Sequence, residues 1–239
     1  MVEELNISKT EYIAYLECPL KFYIIKSLNQ NKPYGPRGER DYDSFPEEAK
    51  EGMNWHSWFE EFYENEINVL VRSTPRGKNT QETKIMEQFF LLEQKRYQEN
   101  PKYWIPIKKE FYIQTDKYRG QIDRVDQLNE EKEVRIVEYK KRPKALDEQE
   151  LLFYANLYTE KYPEEHVSEI ANYYYLKGNY VLKKLTIEML DRFKEKIVIT
   201  QEEILKPNWK RAKNCSEQTK CKFRFICQGL TIPRKAMKK

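Results

Sequence analysis

The order of hydrophobic patterns predicts a mixed α/β domain with a central sheet flanked by helices. Residues before about 100 carry apolar side chains at helical spacing, with no strand-like alternation. Strand-like runs then occupy 104–114, 118–128 and 133–140. A helix, two strands and a last amphipathic helix follow.

Ser8-Lys9-Thr10-Glu11 is a capping-box pattern that opens a short helix carrying Tyr12, Ile13 and Leu16. Cys18-Pro19 breaks it, and Pro19 suits the first position of a second helix through Leu20, Phe22, Tyr23 and Ile24. Prolines and glycines among charges make 30–46 a loop, placed to act as a lid or substrate guide. Trp55, Trp58, Phe59, Phe62 and Ile67 predict a helix over 47–70; Ile85, Phe89, Leu92 and Tyr97 predict another over 81–99, ended by Pro101. The short turn Leu128–Lys132 makes the second and third strands a hairpin. Leu151, Leu152, Tyr154, Ala155 and Tyr158 mark a helix over 147–161. Strands at 167–176 and 180–186 flank a turn at Lys177-Gly178-Asn179, and a helix over 187–205 stops before Pro207.

The chain has 239 residues, which fits one domain with additions as well as two small ones, and at 39% hydrophobic and 34% charged it can still bury a core. No apolar run approaches the roughly 18 residues that cross a bilayer. The acidic N-terminus lacks a signal-peptide pattern, so a cytoplasmic location is expected and no membrane partner. The net charge of +4 is unevenly spread. From Lys206 to Lys239 there are eleven Lys or Arg and one acid, Glu217, a local net of +10 that leaves −6 for the rest. A basic end on an acidic body suits contact with a polyanion, although a solvated tail has the same composition.

Asp123 closes Gly120-Gln121-Ile122, and Glu138 and Lys140 stand two apart in Ile136–Lys140, on one face of a strand. Each alone could be an ordinary strand residue. Together they form the equipment for phosphodiester cleavage. A phosphate is repelled by both carboxylates unless a hard cation such as Mg²⁺ or Mn²⁺ lies between them. Asp123 and Glu138 would hold it, with the carbonyl of Tyr139 as a further oxygen, and Lys140 would orient the water or stabilise developing charge. Asp, about fifteen residues, then Glu-x-Lys after an apolar strand resembles the PD-(D/E)XK nuclease superfamily.

Four cysteines complete the pattern: Cys18, then Cys215, Cys221 and Cys227 with five residues in each of the last two intervals. Buried thiols or disulfides are the plainer readings, and a cytoplasmic setting disfavours disulfides. Four thiolates suit Zn²⁺ or an iron–sulfur cluster; a remote cysteine plus a C-terminal triplet is unlike the paired spacing of zinc fingers. Cys18-Pro19-Leu20-Lys21-Phe22-Tyr23 upstream and Lys222-Phe223-Arg224-Phe225-Ile226 inside the triplet resemble the RecB-like iron–sulfur nucleases, both AddB-type domains and the CRISPR-associated Cas-four exonucleases. The cysteine spacing is nearer the AddB-like arrangement.

That resemblance implies a restriction-endonuclease-like fold, one domain over 1–239, with a nuclease core at 47–205. A [4Fe–4S] cluster on Cys18, Cys215, Cys221 and Cys227 would join 1–30 to 206–230. Closing such a loop is worth on the order of 5 kcal/mol by chain-entropy reasoning. Gly52-Met53-Asn54-Trp55-His56 resembles the family's Gly-x-x-x-His helix, which implies His56 as a metal ligand. The helix after the lysine usually reads Gln-(Leu/Ile)-x-x-Tyr; here it is Glu150-Leu151-Leu152-Phe153-Tyr154. Tyr154 is then the motif tyrosine with a catalytic place, and whether Gln149 or Glu150 approaches the site stays open. Lys222, Arg224 and Gln149 are the expected DNA contacts. The implied activity is single-strand-preferring exonucleolytic cleavage of DNA in repair or CRISPR adaptation, with any helicase a separate partner. The rival reading is a non-catalytic DNA-binding or adaptor subunit that keeps the fold as a scaffold.

Overall fold

The computed structural model describes residues 6–29, 47–63 and 80–206. The chain runs through β1 (Ile7–Ser8), α1 (Lys9–Glu17), α2 (Pro19–Asn29), α3 (Glu47–Phe62), α4 (Gln81–Glu99) and a 3-10 turn at Pro101–Tyr103. It continues through β2 (Lys108–Gln114), β3 (Tyr118–Gln127), β4 (Glu133–Lys140), α5 (Asp147–Lys161), β5 (His166–Tyr174), β6 (Asn179–Lys184) and α6 (Ile187–Leu205).

Among the described residues these strands form one mixed sheet, with helices on both faces. β3 pairs antiparallel with β2 along one edge. Its other edge is shared. β4 pairs antiparallel with Arg124–Gln127, and β1 pairs parallel with Tyr118–Arg119. β5 lies parallel to β4, with α5 as the crossover between them, and β6 returns antiparallel at the margin. Gly178 takes φ +59 in the β5–β6 turn, where a Cβ would also stand 2.7 Å from the Gln88 side chain.

Two cores hold the layers. One packs Ile122, Val125, Val134, Ile136 and Ile170 of the sheet against α1, α5 and α6. The other is largely aromatic. Trp55, Phe59 and Phe89 from α3 and α4 cover Val137, Tyr139, Ala171 and Tyr173, and the Phe59 ring centroid lies 4.5 Å from those of both Phe89 and Tyr139. α1 is capped as its sequence predicts: the Glu11 N–H donates to the Ser8 hydroxyl, and the Ser8 N–H donates to the Glu11 carboxylate.

The mixed sheet flanked by helices matches the sequence expectation, with local differences. The first long strand begins at Lys108, not 104. Pro106 has no N–H to give, so the ladder starts where the Ile107 N–H reaches the Val125 carbonyl at 2.9 Å. Trp104 instead folds into the aromatic core and donates to Glu93. β5 and β6 end two residues earlier than the expected 176 and 186. The helix expected over 47–70 runs to Phe62. Residues 64–70, the loop at 30–46 and everything after Lys206 lie outside the described residues.

Candidate active site

Beyond Arg124 and Val137 the β3–β4 ladder stops and the two strands diverge. Asp123 and Glu138 stand in that fork. The Asp123 carboxylate accepts from the Tyr139 N–H at 2.8 Å, and the Asp123 N–H points to Glu138 Oε1 at 3.4 Å. Carboxylates thus occupy positions where a continuous ladder would place backbone groups, and both are 3% exposed or less. The alternation of β3 also slips here. Gly120 and Ile122 face the α5 side, and so does Val125. Asp123 is therefore turned toward the fork.

The other edge of β3 breaks at the same level. β2 pairs with β3 at every position from Lys108 to Gln114 except Glu110, which stands opposite Asp123. Glu110 has φ +42, a conformation that strains a non-glycine residue. Its carboxylate is gripped on both sides: Gln121 Nε2 donates to Oε2 at 2.8 Å, and His56 Nδ1 lies 2.8 Å from Oε1. His56 Nδ1 is also 3.1 Å from Asp123 Oδ1. One ligand atom from each of His56, Glu110 and Asp123 falls within 4.8 Å of the others, the geometry of a candidate metal centre. The sequence reading missed Glu110. Its only signal is that hairpin register puts it opposite Asp123, and that register was unknown.

His56 reaches this point because α3 buries Trp55 and Phe59 against the sheet and leaves the neighbouring position at its edge. Its ring meets Tyr139 edge-on at 5.6 Å. Burial alone would lower its pKa, but Asp123 and Glu110 outweigh that and raise it to about 9. The two carboxylates thus favour the protonated imidazole, which a bound cation would have to displace.

Glu138 is pushed up to about 7 by burial and by the Asp123 charge, against the pull of Lys140 and Lys9. Lys140 Nζ lies 3.2 Å from Glu138 Oε2 and also pairs closely with Glu150 Oε2. Burial works against its charge, yet Glu138, Glu150 and Asp123 keep Lys140 well above the usual lysine range. Of the two residues left open by the sequence, Glu150 faces the site. Gln149 accepts from Lys196 on α6 at 2.6 Å, along an exposed flank. Tyr154 lies one turn after Glu150, and its ring fills the space above Gly120.

The reverse face of β3 is locked electrostatically. Arg124 forms a two-pronged bond to Asp126 at 2.7 and 2.9 Å and reaches Glu93 of α4 at 2.9 Å; Arg96 bonds Asp126 at 2.9 Å, and Trp104 donates to Glu93. Arg124, Asp126 and Glu93 are 1% exposed or less. This balanced network pins β3 to α4 directly beside Asp123.

Cys18 sits at the break between α1 and α2, buried in a small cluster with Leu20 and Ile24. Cys215, Cys221, Cys227, Lys222 and Arg224 lie outside the described residues.

The arrangement offers oxygen and imidazole donors on one side of the fork and a lysine on the other, around a space between two carboxylates. With His56 neutral and the acids ionised, Glu110, Asp123, Glu138 and Glu150 against Lys9 and Lys140 leave two negative charges, which one divalent cation would offset. The donors fit a hard cation.

Comparison with known proteins agrees with this architecture. The crystal structure of a candidate exonuclease from Eubacterium rectale superposes with a TM-score of 0.53 at 13% identity, covering 97% of this chain and 91% of that one. No curated protein sequence matches the chain. The family model of the PD-(D/E)XK nuclease superfamily matches residues 6–228, and the fork holding Asp123, Glu138 and Lys140 lies within that match. The chain belongs to the PD-(D/E)XK nuclease superfamily.

Proposed function

We propose that this protein is a metal-dependent deoxyribonuclease that trims single-stranded DNA ends. The observation that carries the reading is the fork itself: Asp123 and Glu138 side by side, with His56 and Glu110 behind the first and Lys140 beside the second.

His56, Glu110 and Asp123 would hold Mg²⁺ or Mn²⁺, and Glu138, which stands outside that trio, would be a further ligand. Tyr139 would add its carbonyl: the N–H and C=O of one strand residue point the same way, and the Tyr139 N–H already points at Asp123. When bound, such an ion offsets phosphate charge and makes a water more acidic. The protein's own groups do the rest. Asp123 and Glu138 mark the place in the fork where that ion would sit. Lys140, kept charged by its carboxylate neighbours, steers the attacking water or meets the charge that grows on the phosphate oxygens. Tyr154 walls the site from below.

The [4Fe–4S] cluster on Cys18, Cys215, Cys221 and Cys227 belongs to the same proposal, with zinc as its rival. Burial of Cys18 between two helices suits a ligand that ties the N-terminal helices to the basic tail. Lys222 and Arg224 would balance the thiolates and touch DNA; Gln149, turned to Lys196, would meet DNA only along the outer flank of α5. One domain over 1–239, a cytoplasmic location, and a role in repair or CRISPR adaptation with a separate helicase complete the reading. Among the described residues no helix is long and apolar enough to cross a membrane.

Two assays test it. End-labelled single strands should be degraded with Mn²⁺ or Mg²⁺ and left intact with EDTA; persistence of the label under all conditions would leave only a scaffold or adaptor. Anaerobically purified protein should be brown and lose its visible absorbance in Cys215→Ala, whereas a zinc site would be colourless in both.

A further inference from the structure

The resemblance and the fork account for Lys140, but not for a second ammonium group beside it. β1 pairs with Tyr118–Arg119 on the stretch of β3 that β4 vacates. Arg119 Nη1 donates to Asn6 at 2.7 Å, and Arg119 Nη2 pairs with Glu11 at 3.0 Å. The capping box then starts α1 at Lys9. Lys9 is thus delivered to the active-site rim by a chain of fixed contacts. Its Nζ lies 3.5 Å from Glu150 Oε1 and 5.6 Å from the centre of the Tyr154 ring. Glu150 has its other oxygen on Lys140. One carboxylate therefore bridges two ammonium groups, one oxygen to each.

A phosphodiester offers the same thing: one negative charge over two free oxygens. We propose that Lys9 is a substrate-binding residue that takes a phosphate of the incoming strand next to the scissile one, and that Glu150 holds its place in the free protein. This rests on the nuclease reading of the same site. The side chains of Lys9, Glu150 and Lys140 are 21%, 15% and 13% exposed, so their attraction is only partly screened, yet the rim remains open to a ligand. Burial would raise the Glu150 carboxyl, but Lys9 and Lys140 outweigh it and lower it, so the plug is an anion like the phosphate that replaces it.

The test compares the full-length parent with Lys9→Gln, Lys9→Arg and Glu150→Gln. Binding of a labelled single strand is followed by anisotropy in Ca²⁺ across a salt series, and cleavage in Mn²⁺ gives KM and kcat. Lys9→Gln should weaken binding and raise KM roughly tenfold with kcat nearly unchanged. It should also flatten the salt slope by about 0.7, one phosphate contact on a single strand. Lys9→Arg should restore most of both. Glu150→Gln, with the plug neutralised, should bind several-fold more tightly with a steeper salt slope.

A Lys9→Gln protein with parental KM and salt slope overturns the proposal, even if its thermal stability drops; the pair would then be only a tie between α1 and α5. A parent that binds but never cleaves defeats the catalytic reading while the Lys9 comparison still decides this one. A parent that does not bind the strand defeats both.

Discussion

Glu110 and Asp123 face one another across the β2–β3 ladder, and theirs is the pair at which that ladder is interrupted. The interruption carries a cost. Glu110 holds φ +42, where a side chain is strained by about 1–3 kcal/mol, and two like charges sit within reach of one histidine nitrogen. A cation between them would turn the repulsion into binding.

Glu110→Gly should therefore separate stability from activity. Glycine accepts the positive φ but gives up the bonds of Glu110 to His56 and Gln121, so metal-free thermal stability should change by no more than about 1 kcal/mol. Cleavage should fall by roughly 10²-fold or more, with weaker Mn²⁺ affinity by calorimetry. Unchanged metal affinity would remove Glu110 from the site.

The pH dependence of metal-free stability follows from two raised values. His56 is held at about 9, above its ordinary 6.5, so its contribution is complete below 6.5 and is lost as pH rises through 9. Glu138 is raised from 4.5 to about 7, so its ionisation costs nothing below 4.5 and its full penalty above 7. Both act in one direction. Thermal scans in EDTA should show stability falling between pH 5 and 9 from these groups. Mn²⁺ should stabilise increasingly over the same range, because binding displaces the protons.

Arg124→Met removes one cation from a buried network and leaves Arg96 to pair with both Glu93 and Asp126, with Trp104 still donating to Glu93. Breaking such a group costs about 3–5 kcal/mol. Chemical denaturation should show a loss of that order, and a change under 1 kcal/mol would mean that β3 is pinned beside Asp123 by packing instead.

Gly52 and Gly120 differ in why they are glycines. A Cβ on Gly120 would stand 2.7 Å from the buried Tyr154 ring, so Gly120→Ala should destabilise the fold and displace that ring. A Cβ on Gly52, one turn before His56, would meet nothing within 4 Å. Gly52→Ala should gain about 0.5–1 kcal/mol in thermal stability. Weaker DNA binding in the same variant would show that the bare backbone is kept for the substrate.

Much of this was legible in the sequence because it is local. Helical spacing located α4, α5 and α6, and the capping box located α1. Two-residue alternation placed Glu138 and Lys140 on one face, where the structure pairs them. What was hidden depends on long-range pairing. Glu110 matters only once hairpin register sets it against Asp123. Lys9 matters only because the two-residue β1 docks beside Tyr118, more than 100 positions away. Apolar residues before Lys108 looked like strand, but Pro106 and the pull of the aromatic core on Trp104 decided otherwise. Gln149 and Glu150 differ by about 100° around a helix, and only the packing of α5 chooses between them.

Asp123→Ala, on an end-labelled single strand in Mn²⁺ with circular dichroism to verify folding, tests most directly whether Asp123 organises a divalent cation for phosphodiester cleavage. The variant should fold and its cleavage should fall by roughly 10³-fold or more. Cleavage at the parental rate, abolished by EDTA in both proteins, would place the metal and the chemistry elsewhere.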